Sequence, residues 1–119
     1  MKWEGLSMNF EKIVISILPI TWFLLSFFYK YKANGNISKY SGFRTELSMK
    51  SKENWKYAHE YAAKLLRVYA IFFLLLNIII IFSNSLNNIT MTIIVVLQML
   101  FYFIIGYRVN KDLAKKEND

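Results

Sequence analysis

A chain of 119 residues has room for one domain, and one that is 55% hydrophobic with no charge at all over residues 13–29 and 68–107 is not a small water-soluble fold, whose apolar residues come in short periodic runs. The absence of cysteine removes disulfides, thiolate nucleophiles and thiolate metal sites. The net charge of +7, which in a soluble chain would point to nucleic acid, here marks the flanks of membrane spans, so no nucleic-acid partner is expected.

A bilayer core takes about 20 apolar residues in helical form. The first predicted span covers residues 13–29, edged by Lys12 and Lys30. Pro19 lies inside it, removes one backbone hydrogen bond and predicts a kink that opens a groove beside the other helices. The following "FFYKYKANG" lacks the small residues of a signal-peptide cleavage site, so the span is read as retained. Residues 32–42 read as a loop, with Asn34-Gly35 as its turn. A helix starts near Ser48 or Ser51, either of which can cap it, with Glu53 in the favourable first turn. No proline or glycine interrupts the chain from there to Asn84, so this helix runs for about 30 residues at its regular rise. Its first half is wet and its second half is a span, residues 64–83. The third span covers residues 89–107, after the polar break "SNSLNN". Backbone amides in lipid must bond internally, and the apolar runs are continuous rather than alternating, so the spans are helices and not barrel strands.

Orientation follows from lysine and arginine near the span ends. The first loop and its edges carry Lys30, Lys32, Lys39, Arg44, Lys50, Lys52, Lys56, Lys64 and Arg67, and the tail carries Arg108, Lys111, Lys115 and Lys116. The second loop has no charge, and in the N-terminal arm Lys2 and Lys12 are offset by Glu4 and Glu11. These counts predict an N-terminus outside, a first loop and C-terminus in the cytoplasm, and a second loop outside. The expected fold is all-α: an integral membrane three-helix bundle in one domain, residues 1–119, with the second helix extended into the cytoplasm.

Helical spacing places Lys52, Trp55, His59, Ala63, Leu66, Ala70, Phe73 and Asn77 on one stripe, a packing seam. Ala58 and Ala62 form a small-xxx-small pair beside it, which allows close helix approach. Trp55, Tyr57 and Tyr61 fit an interfacial aromatic belt, and Lys64 and Arg67 can snorkel to the same level. Asn77 and Gln98 sit deep in the spans, where an unpaired amide costs several kcal/mol, so each needs a partner; one solution is that they pair with each other.

His59-Glu60 opens like the zinc motif H-E-x-x-H, but position 63 is Ala and the chain has no second histidine. Neither Glu60 nor Asp112 is placed to orient His59 for a serine triad, so no catalytic residue, metal or cofactor is expected and the chain is not read as an enzyme. Arg44 has a fork of donors suited to phosphate or carboxylate, or to the ends of neighbouring helices.

Gly42-Phe43-Arg44-Thr45, Ser48, Asn54-Trp55, Ala58-His59 and Ala63-Lys64 together resemble the signature of the SdpI family, small bacterial membrane proteins named for the immunity protein against a secreted sporulation-delaying peptide. The basic tail "NKDLAKKEND" is also similar to the ends of family members. The namesake has additional spans; this chain resembles its signature-bearing half. The resemblance implies a protein of the bacterial cell membrane that protects its producer by binding or neutralising a hydrophobic peptide toxin. Asn77, Gln98 and the aromatic positions would be contacts. Implied partners are membrane lipid, a secreted antimicrobial peptide, and a membrane or cytoplasmic regulator protein. A different class, a small partner subunit of a transporter or sensor, suits the same helices. A pore fits less well, because no row of polar residues lines a channel.

Overall fold

The computed structural model describes the backbone of residues 2–38 and 40–118 and the side chains of 9–38 and 40–117. Lys39, counted above in the first loop, lies outside the described residues, as do the side chains of Lys2 and Glu4 in the N-terminal arm. Among the described residues there are three helices and no strand: α1 (Lys2–Ala33), α2 (Lys52–Phe82) and α3 (Asn88–Asn118). Each contains a stretch long and apolar enough to cross a membrane: Asn9–Ala33, Lys52–Phe82 and Asn88–Glu117. The chain is therefore a multi-pass membrane protein built as an all-α three-helix bundle.

The helices outrun the apolar runs that predicted them. α1 begins at Lys2, well before residue 13, and α3 continues through the basic tail. Lys, Leu, Ala and Glu are good helix formers, so the tail keeps its backbone bonds after the apolar run stops. The long axis measures 58 Å, against about 30 Å of hydrocarbon in a bilayer, so a large part of the bundle stands outside the lipid.

Ser51 caps α2 in an extended conformation (φ −152°, ψ 162°), its hydroxyl accepting from Asn54 N–H at 3.0 Å. Ser48 takes another role, described below. At the other end of α2, Asn84 adopts φ 55°, and the N–H groups of Ser83 and Ser85 close on the carbonyls of Ile79 and Ile80. Asn87 Oδ1 then accepts from Thr90 N–H at 2.9 Å and starts α3.

α2 is the central helix. Trp55, His59, Ala63, Leu66, Ala70, Phe73 and Asn77 of the predicted stripe are all buried, and Lys52 alone of that stripe is exposed. Ala58 and Ala62 are buried in the same core, with Val109 and Leu113 of α3. In the middle of the bundle Phe73 meets Trp22 of α1 at 5.8 Å and Phe101 of α3 at 5.1 Å, both edge-on, which joins the three helices through one ring. The opposite faces show Ile17, Leu24, Leu75, Ile79 and Phe103 outward, as lipid contact requires.

Candidate functional site

Two polar centres sit in this apolar bundle. The first is built where α1 ends and α2 begins. His59 is fully buried and uses both ring nitrogens: Nδ1 is 2.8 Å from Trp55 O, and Nε2 is 2.8 Å from Phe43 N. Phe43 N–H can only donate, so Nε2 accepts, Nδ1 carries the proton, and the imidazole is neutral. The ring lies tilted against Trp55 with centroids 4.1 Å apart and is met edge-on by Tyr29 and Phe43. A histidine so engaged offers no nitrogen to a metal or a substrate, and among the described residues no group of three metal-ligating side chains occurs.

Trp55 Nε1–H donates to Lys32 O at 2.8 Å, and that carbonyl belongs to the last turn of α1, where intrahelical donors run out. The expected aromatic belt is thus corrected at its first member: Trp55 is 0% exposed and pins α1 to α2 from the inside. Gly42 passes against this pair at φ 105°, with room for no side chain. Downstream, Ser48 is the centre of a turn: its hydroxyl accepts from Thr45 N–H at 2.8 Å and points its proton at the carbonyls of Phe43 and Thr45.

The loop is tied to α3 by residues that no local pattern announced. Thr45 Oγ1–H donates to Asn110 Oδ1 at 2.8 Å. Asn54 Nδ2 donates to Leu47 O at 3.0 Å and to Glu117 Oε1 at 2.8 Å, and Lys50 pairs with the other Glu117 oxygen at 3.0 Å. Asn110 and Glu117 are seven residues apart, two helical turns, so the one available signal was their shared face. Of the eleven residues singled out in this region, nine therefore converge: Gly42, Phe43, Thr45, Ser48, Asn54, Trp55, Ala58, His59 and Ala63. Arg44 and Lys64 do not. Both are exposed, and Arg44 makes one bond, Nε–H to Ser38 O at 3.2 Å.

The second centre is intramembrane. Pro19 cannot supply the N–H that would close on the carbonyl four residues earlier, and that carbonyl is Ile15 O. Asn77 Nδ2 of α2 donates to Ile15 O at 2.8 Å, and Gln98 Nε2 of α3 donates to it at 2.9 Å. The two amides thus do not pair with each other. Both serve the backbone atom that the proline leaves free, because a carbonyl stranded in hydrocarbon costs more than an amide–amide bond gains. Their own oxygens, Asn77 Oδ1 and Gln98 Oε1, are buried without a hydrogen-bond partner.

This arrangement predicts non-additive mutations. Asn77→Ala or Gln98→Ala removes one bond together with one unpartnered oxygen, and each alone should cost under about 1 kcal/mol. The double variant strands Ile15 O and should cost about 1–3 kcal/mol beyond the sum. In a Pro19→Ala background, Ala replaces the missing N–H and the excess should vanish. Reversible unfolding in bicelles with added SDS reads all of these; an excess that survives Pro19→Ala would disprove the role given to the proline.

Beside Pro19 a groove of about 330 Å³ opens between α1 and α3, lined by Leu18, Thr21, Trp22, Leu25, Met99, Tyr102 and Phe103. Thr21 Oγ1–H is turned back onto Ile17 O, so that hydroxyl adds no free donor and the groove is apolar.

Comparison with curated proteins and with solved structures gives no match. The pattern that describes the SdpI/YfhL protein family matches residues 35–108, which takes in the loop from Gly35 onward, all of α2 and α3 as far as Arg108. With well over half of the sequence matched, and with the loop-to-α2 contacts lying wholly within the matched stretch, the chain belongs to the SdpI/YfhL protein family.

Proposed function

We propose that the chain protects the bacterial cell that makes it, by binding a hydrophobic secreted peptide toxin at the cell membrane and blocking its insertion. It stands with the N-terminus outside and the C-terminus in the cytoplasm, so that the basic first loop and tail lie inside. The observation that carries this reading is the apolar groove between α1 and α3, in a member of a family whose namesake is an immunity protein. Its aromatic wall, Trp22 stacked at 6.5 Å on Tyr102 with Phe103 beside it, suits the apolar side chains of a membrane-seeking peptide. Asn77 and Gln98 face inward onto Ile15, so they support the wall rather than meet the guest. The polar centre formed by His59, Trp55 and Ser48, with Thr45 and Asn54 reaching α3, holds the three helices in the register that shapes the groove.

A survival assay tests this. Sensitive bacteria expressing the chain are challenged with the secreted peptide encoded beside it, or with the sporulation-delaying peptide. Protection should be lost with Thr21→Trp, which fills the groove, at normal membrane levels. Arg44→Ala should leave those levels unchanged because the side chain is exposed; whether protection survives in it shows if the loop takes part. If the parent chain gives no protection at verified membrane levels, the proposal fails, and a partner subunit of a transporter or sensor becomes the reading to pursue by co-purification.

A further inference from the structure

A larger cavity of about 770 Å³ lies between α2 and α3. Its lining includes Glu60, Tyr61, Lys64, Leu65, Val68 and Arg108. We propose that this cavity is a binding site for the phosphodiester headgroup of an anionic membrane phospholipid. The argument begins with depth. The charge-free run of the sequence starts at Val68 on α2 and ends at Tyr107 on α3, so the cavity straddles the level at which both helices pass from apolar to charged. Leu65 and Val68 belong to its apolar side, Lys64 and Arg108 to its charged side, and a lipid presents the same order from acyl chain to phosphate.

The cations are arranged rather than loose. Arg108 Nη1 donates to Tyr69 OH at 3.0 Å and Nη2 to Tyr61 OH at 3.4 Å, which draws the guanidinium from α3 across to α2. A guanidinium has five N–H donors, so three remain for a phosphate, in the fork geometry that phosphate oxygens accept. Neither Arg108 nor Lys64 enters either of the ion pairs formed among the described residues, which use Lys50 with Glu117 and Lys116 with Glu53. Two cations against the one carboxylate of Glu60 leave a single net positive charge, which matches one phosphodiester. Basic pockets between spans are the usual form of such lipid sites. The site does not depend on the toxin-binding reading, since it lies on a different pair of helices.

The test uses the full chain in a neutral detergent, with thermal unfolding and native mass spectrometry read as phosphatidylglycerol is titrated in. Phosphatidylglycerol should bind saturably and raise the unfolding temperature, and phosphatidylcholine, which carries the same phosphodiester but brings a choline cation up to Lys64 and Arg108, should bind at least about tenfold more weakly. Arg108→Gln should weaken phosphatidylglycerol by a similar factor. Because that change also removes the tyrosine bonds, Lys64→Gln, at an exposed position, gives the same measurement on an undisturbed fold. Equal binding of phosphatidylcholine, or unchanged phosphatidylglycerol binding in both variants, would overturn the proposal. Inorganic phosphate that stabilises as well as the lipid would overturn the lipid as the source of the phosphate.

Discussion

Alanine at position 42 is expected to separate the first loop from α2. A Cβ built on Gly42 falls 2.7 Å from His59 Nε2 and 3.1 Å from the Trp55 ring, both inside contact distance. Neither neighbour can retreat: both are fully buried and each is held by a hydrogen bond. The backbone adds to this, since φ 105° strains any residue with a side chain by about 1–3 kcal/mol. If the loop lifts instead, His59 Nε2 is left buried without its donor, which costs about 1–3 kcal/mol. The protein takes the cheaper route, so the loss should be about 1–3 kcal/mol, a sizeable share of the roughly 5–15 kcal/mol that holds an ordinary domain together. Thermal unfolding in detergent, with hydrogen exchange at the Phe43 amide, measures it; a parent-like unfolding temperature and a protected Phe43 amide would show that the loop does not rest on His59.

Trp55→Ala carries the second large effect. The side chain is at the junction of α1, the loop and α2, and truncating a buried tryptophan costs about 3–5 kcal/mol through lost contact and the cavity left behind. Trp55→Phe divides that figure. It keeps most of the ring volume and the ring contact with His59 but takes the indole N–H from Lys32 O, which retains only the Gly35 N–H at 3.1 Å, so it should cost about 0.5–1.5 kcal/mol. The measurement is unfolding by SDS titration in bicelles, with exchange at the last turn of α1 as a local readout. Fraying of that turn in Trp55→Phe, with the rest of the bundle protected, is the expected pattern. A Trp55→Ala protein as stable as the parent would remove Trp55 from the core.

The parts of this architecture that were legible in the sequence are those that repeat along the chain. Long absence of charge marks three spans, the 3.6-residue period picks out the buried face of α2 from Trp55 to Asn77, and Ser51 with Glu53 announces a helix start. Single contacts between distant residues were not legible. Glu117 meets Asn54 across 63 positions, and nothing near either residue records it. Trp55 has the composition of a belt residue, and only the third dimension reveals that its indole N–H faces the end of α1 rather than a membrane surface. The pairing of Asn77 with Gln98 failed as an expectation for a related reason. Proline acts on the carbonyl four residues before it, so the acceptor both amides needed was a backbone atom of Ile15, which no side-chain pattern displays. Arg44, the residue with the most suggestive chemistry, is exposed with a single bond, while the plainer Ser48 beside it is fully buried.

The shared carbonyl of Ile15 also gives the chain a timetable. α1 is made before α2 and α3, and until they arrive its proline leaves one acceptor facing hydrocarbon, a penalty of several kcal/mol. α2 brings the first donor and α3 the second, 62 and 83 residues later. Seating of α1 therefore waits on synthesis of α2, and α3 adds a second donor to the same atom. A ribosome that stops before α2 releases a fragment still carrying an unanswered polar group in oil, and such a fragment is chemically distinguishable from a chain that carries its donors to whatever clears the membrane of incomplete chains.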